Sequence, residues 1–369
     1  MRHTQTYDIL KYMGLFSMKP KDKSYVGFDI GQSGIKFVEL LNEKGRARLV
    51  TYAYSDLPDT TIDRVFDEDA EKVATHVKEM FKQAKITTRV AVAALPISSV
   101  FSSIISVPSA NEKDIKSLIE AQAKKLIPVP LEEITLDTKT IDQGKPDAAG
   151  LKTTRVLMTG APKVLVNKYI AFMKKCGLEL LSLETETFAL VRALIGKDRS
   201  SMMVIDIGST RTNISIVEKG VPFLNRSIAT GGNAITMTIS KTLGITYEEA
   251  ERMKRDIRSM ESFAQAGDLT PILQTLLKPI IDEIRYSFNM YQGQNTDEGQ
   301  PKHIDKIILT GGSSLLPKLP EFITSLMNVN TYLGDPWARV IYPPELRPVL
   351  DEIGSRFAIS IGCAMRDIE

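Results

Sequence analysis

Residues 25–37 read YVGFDIGQSGIKF and residues 202–217 read MMVIDIGSTRTNISIV. Each opens on an apolar run, turns at Asp-Ile-Gly among small polar residues, and resumes as a second apolar run. That is the pattern of two antiparallel strands joined by a tight turn. Two copies, one near the start and one past the middle of the chain, mark an internal repeat.

Working outward, Tyr25 to Pro58 extends the first copy to three strands, with turns at Gln32–Gly34 and Asn42–Gly45. Asp67 to Lys85 places Val73, Val77, Met80, Phe81 and Ala84 on one face of an amphipathic helix. RVAVAALPISSVFSSIISVP (89–108) predicts two short strands around a turn, and a helix follows in which Ser109 and Glu112 form a capping box and which stops before Pro128. IDQGKPDAAGLKT (141–153) reads as a hairpin tip, TRVLMTGAP as a strand and VLVNKYIAFMKKCG as a helix. After the second copy come helical stretches at 233–244, 247–257 and 270–291, a strand in DKIILTGGSS (305–314), and a last buried helix in RFAISIGCAMRDI (356–368). Strands and helices alternate in two duplicated halves, which predicts an α/β fold with inserted subdomains.

The 369 residues are 43% hydrophobic and 25% charged, which excludes a disordered chain and suffices for two or more cores. Lys and Arg number 47 against 45 Asp and Glu, so there is no basic field to attract nucleic acid. Cys176 and Cys363 make no disulfide framework, and His3, His76 and His303 have no metal-ligand spacing. Val90 to Asn111 is uncharged but broken by Pro96, Pro108 and six serines, so it is not a membrane helix. Residues 1–24 read as a disordered leader without the apolar region of a signal peptide, so the protein is expected to stay in the cytoplasm. Within the leader, Ile9, Leu10, Met13, Leu15 and Phe16 offer a short apolar helical face ahead of Lys19, Lys21 and Lys23. MGLFSMKPKDKSYVG makes Met13 a candidate natural start.

A third glycine turn, Thr310-Gly311-Gly312-Ser313-Ser314, also follows an apolar strand. Glycine lets backbone N–H groups approach an anion and small hydroxyl residues add donors, so the three turns are candidate phosphate nests. If the halves face each other, Asp29 and Asp206 point at one spot from opposite sides, where carboxylates suit a hydrated Mg²⁺. Lys36, on an otherwise apolar strand, can reach a phosphate as a point charge. Singly, each turn is an ordinary hairpin; the set of three in matching context is what carries function.

The set resembles the actin-like ATPase superfamily, which includes actin, sugar kinases, heat-shock chaperone ATPases, FtsA and MreB. VGFDIGQSGIK matches its first phosphate motif with Lys36 at the expected offset, VIDIGSTRTNISIV its second, and IILTGGSSLLPKL its adenosine motif. LETETFALVRAL matches the first connecting motif, with Glu186 at the position of the carboxylate that orients attacking water; Thr187 stands where many relatives have proline and Glu184 where close ones have aspartate. YEEAERMKRD supplies Glu251 and Lys254 in the spacing relatives use around the adenosine, and Gly231-Gly232 sits where they bring backbone to the terminal phosphates.

Within the superfamily the chain is most similar to the PilM family of type IV pilus assembly. The segment from Arg89 to Asp137 resembles the small subdomain that PilM and FtsA share, and Ile127-Pro128-Val129-Pro130-Leu131-Glu132-Glu133 is especially PilM-like. FtsA relatives end in an amphipathic membrane helix, whereas this chain stops at Arg366-Asp367-Ile368-Glu369. The resemblance implies two ribonuclease-H-like domains flanking a nucleotide cleft. The expected boundaries are 25–88 with 161–199 for the first, 89–160 for the inserted subdomain, and 200–369 for the second with a helical subdomain near 233–275.

It further implies ATP and Mg²⁺ as ligands. Asp29 and Asp206 would hold the metal through water and act in catalysis with Glu186. Gly31, Gln32, Ser33, Gly208, Ser209, Thr210, Gly231 and Gly232 would cradle phosphates with Lys36, and Glu251, Lys254, Gly311, Gly312 and Ser313 would border the nucleoside. Hydrolysis is expected to be slow or absent. The implied partners are the cytoplasmic N-terminal peptide of PilN, in a groove along Val90–Asp137, together with the pilus motor ATPases and the platform protein. The expected location is the inner face of the inner membrane, reached through partners, with a homodimer as one assembly. An FtsA-like filament former in cell division and a small-molecule kinase are the alternatives.

Overall fold

The computed structural model describes residues 24–32, 34–56, 62–67, 69–108, 112–143, 153–255, 270–295 and 299–368. Ser33, the cap at Ser109, the hairpin tip at 144–152 and most of the leader lie outside the described residues.

The first half is built on a six-stranded sheet. Its opening strands β1 (Ser24–Gly31), β2 (Gly34–Glu43) and β3 (Arg46–Asp56) form an antiparallel meander. Helices α1 (Ile62–Phe66) and α2 (Ala70–Gln83) return the chain to β4 (Val90–Leu95), which runs parallel to β1. Val73, Val77, Met80 and Phe81 are the buried face of α2, packed on Phe28 and Phe37 of the sheet. β4 reads VAVAAL without polar alternation because both its faces are buried, Ala91, Ala93 and Leu95 in one core and Val92 and Ala94 in another.

After β4 the chain leaves the sheet. β5 (Phe101–Pro108), α3 (Glu112–Leu126), β6 (Ile134–Gln143) and β7 (Thr153–Pro162) form a separate three-stranded sheet in the order β5-β7-β6, with Ile119, Ala123 and Ile127 closing its own small core. The expected start of this unit at residue 89 is therefore too early, because β4 pairs with β1 and belongs to the first sheet. Helix α4 (Lys163–Lys175) then leads to β8 (Glu179–Thr185), parallel to β4.

Helix α5 (Glu186–Leu190) and one π-helical turn, Val191–Ile195, connect to the second half. There β9 (Met202–Ile207), β10 (Thr212–Glu218) and β11 (Val221–Ile228) repeat the meander of β1 to β3. Helices α6 (Gly232–Leu243), α7 (Tyr247–Arg255), α8 (Thr270–Leu276) and α9 (Lys278–Gln292) follow. β12 (Lys306–Thr310), α10 (Leu319–Met327) and β13 (Thr331–Leu333) complete a five-stranded sheet, ordered β11-β10-β9-β12-β13.

The last segment crosses back. β14 (Val340–Ile341) pairs with β3, and α11 (Arg347–Ala364) covers the face of β1, β2 and β4 opposite α2. The sequence places 340–368 with the second half; in the structure β14 joins the first sheet, and α11 packs on both halves, through Phe357 and Ile361 on the first and through Ala358, Ile359 and Cys363 on the second. The apolar pattern of α11 shows that it is buried, but not against which sheet. Gly27 and Gly362 let it approach: a Cβ on Gly27 would stand 1.8 Å from the Ser360 carbonyl oxygen, and one on Gly362 1.9 Å from that of Ala189. Among the described residues no helix is long and apolar enough to cross a membrane.

Candidate functional site

The turn between β1 and β2 sets its residues by register. Asp29 lies opposite Lys36 and Gly31 opposite Gly34, so the carboxylate and the ammonium become cross-strand neighbours. Lys36 Nζ donates to Asp29 Oδ2 at 3.1 Å, with the side chains only 11% and 7% exposed. A Cβ on Gly31 would lie 3.1 Å from that ammonium, so glycine keeps the space at the turn open. Gln32 is half-buried beside it.

The second turn is built the same way from β9 and β10, with Asp206 opposite Asn213 on one side and Thr310 on the other. The Gly208 N–H closes the turn on the Arg211 carbonyl at 2.9 Å. The start of α6 is fastened onto it: Gly232 N donates to Gly208 O at 2.8 Å and Asn233 N to Ser209 O at 2.7 Å. A side chain at Gly231 would collide with Gly208 O, Arg211 N and Ser209 O, all within 2.8 Å. The N-terminal amides of α6 are thereby spent on fastening the helix to the turn. Ser209 is half-buried and Thr210 exposed at the rim.

The third turn meets the second. Gly311 has φ +86° and a Cβ there would stand 2.4 Å from Asp206 Oδ1, so only glycine fits. A Cβ on Gly232 would meet Ser313 Oγ at 2.2 Å and Lys254 Nζ at 3.2 Å. Lys254 Nζ donates to Gly232 O at 3.0 Å, Thr236 Oγ1 at 2.6 Å and Glu251 Oε2 at 2.7 Å. Burial opposes the Glu251 charge, but hydrogen bonds from Lys254, Thr236 and Arg255 outweigh it and hold the carboxyl at about 2. Burial lowers the Lys254 ammonium in turn, against the raising effect of Glu251. Gly312 abuts the aliphatic stem of Arg356.

Glu186, at the start of α5, lies where the halves meet. Its Oε2 accepts from Ile97 N of the first half at 2.9 Å and from Asn213 Nδ2 of the second at 3.2 Å. Burial, with the charges of Asp206 and Asp29, pushes its carboxyl up to about 8. Asp206 is raised to about 6, by burial first and by Asp29 second, with Lys36 and Asn213 pulling the other way. The structure thus brings the first turn, the second turn, the third turn and Glu186 to one cleft. Glu184 is engaged elsewhere in a two-pronged ion pair with Arg192, and Thr187 hydrogen-bonds Asn225 Oδ1 at 2.8 Å.

Two residues escaped the sequence reading. Asn213 bridges Glu186 and Asp206, yet its Oδ1 is buried without a partner. Its signal was a polar residue on the strand paired with Asp206. Tyr169, on α4, has a fully buried hydroxyl without a partner, and burial, Glu186 and Asp29 all hold its phenol well above the usual range. It sits among core positions of an amphipathic helix, so nothing in the sequence marked it.

A buried site with three carboxylates and one lysine is short of positive charge, and the orphaned Asn213 oxygen is short of a donor. Both features fit a hydrated divalent cation with its anionic ligand. Among the described residues no group of three or more His, Cys, Asp and Glu is spaced to chelate a metal directly.

Comparison with known proteins agrees with this architecture. The chain is 22% identical over 354 residues to the cell division protein FtsA of Bacillus subtilis, covering 85% of this chain and 78% of that protein. It is 25% identical over 262 residues to FtsA of Neisseria meningitidis serogroup B, covering 65% and 61% respectively. A PilM-PilN type IV pilus biogenesis complex superposes with TM-score 0.77 at 23% identity, over 94% of this chain and 98% of that one. The ethanolamine utilization protein EutJ from Carboxydothermus hydrogenoformans superposes with TM-score 0.55 at 15% identity, over 96% and 93%. The fold is the actin-like ATPase fold. The family model of type IV pilus assembly protein PilM matches residues 27–368, and the chain belongs to that family.

Proposed function

We propose that the protein is an ATP-binding adaptor of the type IV pilus assembly complex, acting in the cytoplasm at the inner membrane. The observation that carries the nucleotide reading is the convergence of three glycine turns on a cleft holding the buried Asp29–Lys36 pair, Asp206 and Glu186. Lys36 offsets phosphate charge, Gly31, Gly208, Gly231 and Gly232 keep the backbone open to the phosphates, with the Gly208 and Gly232 amides themselves bonded to Arg211 O and Gly208 O, and Glu251 with Lys254 borders the nucleoside beside Gly311, Gly312 and Ser313. Mg²⁺, when bound, would supply counter-charge to the phosphates, and Asp29 and Asp206 would hold it through water. Glu186, kept protonated by burial in the free protein, is a poor base until cationic charge enters the cleft; this accords with slow hydrolysis.

Family membership and the likeness to a PilM-PilN complex support the PilN cytoplasmic peptide as partner. The three-stranded insertion touches β11 of the second half through β5, so a peptide seated along it would bear on cleft closure. Calorimetry of Mg·ATP binding, with and without that peptide, tests the reading. Micromolar ATP binding that changes with peptide supports coupling, since each ligand must alter the other's affinity equally. Peptide binding without ATP binding leaves a scaffold whose glycine turns serve only structure. ATP-dependent polymers under the electron microscope would move the assignment towards the FtsA relatives.

A further inference from the structure

Arg356 lies where the third turn meets the first sheet. The carbonyl before it, Ser355 O, accepts from Gly311 N at 3.0 Å and from Thr310 Oγ1 at 3.2 Å, so the turn of the second half hangs on this point of α11. A Cβ on Gly312 would meet the Arg356 stem first, at 3.6 Å from its Cγ. Its guanidinium reaches the other way, into the first half: Nη2 donates to Asp56 Oδ1, and Cζ stacks 4.8 Å from the centre of the Tyr54 ring. Asp56 in turn is the β-ladder partner of Gly34 in the first turn, and the two strands there are so close that a Cβ on Gly34 would stand 2.2 Å from Ser55 O. The Asp56 charge also acts on Arg255, the neighbour of Lys254 on α7.

We infer that Arg356 and Asp56 form a clasp that mechanically couples the third glycine turn to the first, so that a ligand ordering one turn pre-orders the other. The clasp rests on the nucleotide reading for its biological use, but not for its existence. Arg356 is a positioning residue: it acts on a ligand through Gly312 and Gly34 rather than by replacing any contact to phosphate. Its fork matches a carboxylate and an aromatic face together, which lysine does not reproduce.

The test uses the full chain with Arg356→Gln, Asp56→Asn and the double variant. Without ligand, hydrogen exchange should rise at least about threefold in both the 31–36 hairpin and the 311–315 turn for each single variant. Mg·ATP affinity should fall about three- to thirtyfold in each, with the double variant no worse than the weaker single, while adenosine alone changes less than about twofold. Unchanged exchange in either turn overturns the clasp whatever binds. So does an equal loss for adenosine and Mg·ATP, which would make Arg356 a direct nucleoside contact, and so do additive losses. Raised exchange in both turns, in a protein whose wild type binds no Mg·ATP, sinks the nucleotide reading and leaves the clasp standing. Arg356→Lys serves as a control, and full rescue by it would overturn the stacked guanidinium geometry.

Discussion

Lys36 and Asp29 neutralise each other in a setting that neither tolerates alone. Removing one partner of a buried ion pair leaves an uncompensated charge, so Lys36→Ala should cost about 3 kcal/mol in denaturant unfolding and also weaken Mg·ATP binding in calorimetry. If both Lys36→Ala and Asp29→Ala left ATP affinity unchanged, the site assignment would fail. Glu186 makes a second prediction. Its folded value of about 8 lies above that of an unfolded glutamate, so the folded state holds the extra proton and the free protein should lose stability as pH rises from about 5 to 8. Glu186→Gln should remove most of that slope and stabilise the free protein at pH 8 by about 1–3 kcal/mol, because both donors to Glu186 reach a single oxygen that the amide retains. Thermal melts of both proteins across this range check it. The sequence places this turn at Gln32–Gly34, which leaves the partner of Asp29 open; the two-residue turn of the structure sets it opposite Lys36. The bridge from Glu186 to Asn213 was not readable in the sequence either, because it joins separate sheets.

Among the elements, the turn bearing Gly311 admits little change. Gly311→Ala adds backbone strain at φ +86° to a collision with Asp206 and Ile207, and should cost at least about 3 kcal/mol and abolish nucleotide binding. Gly177→Ala is the matched control, with φ +75° and nothing within 4 Å of the added carbon, and should cost only about 1 kcal/mol with binding intact. Parallel urea melts and calorimetry separate them. Most elements were legible because their periods are strong: the face of α2 and the β1–β2–β3 meander follow from alternation and spacing alone. The boundary at β4 was misplaced because a strand buried on both faces carries no alternation to say which sheet owns it.

Across the whole molecule, duplication was legible and its final embrace was not. A chain that repeats one motif suggests two contiguous halves, yet β14 and α11 pack on the half built first. Trp337, the single tryptophan, is buried there against Tyr52, Phe357 and Tyr342. Its fluorescence should therefore report the first half selectively. Phe357→Ala should cost about 3–4 kcal/mol and red-shift that emission at denaturant levels where the β9–β12 sheet is still folded, with hydrogen exchange following the two sheets separately.

The same return has a consequence for synthesis. Strands β1 to β4 leave the ribosome well before the helix that covers one face of their sheet. The sheet of β9 to β13 is encoded in one uninterrupted stretch, but Met202, Val204 and Ile308 on one of its faces pack with Ala358, Ile359 and Cys363 of α11, so it too waits for that helix. A ribosome stalled shortly before Arg347 would therefore display two lobes that each lack the helix packed between them, the species most in need of a chaperone.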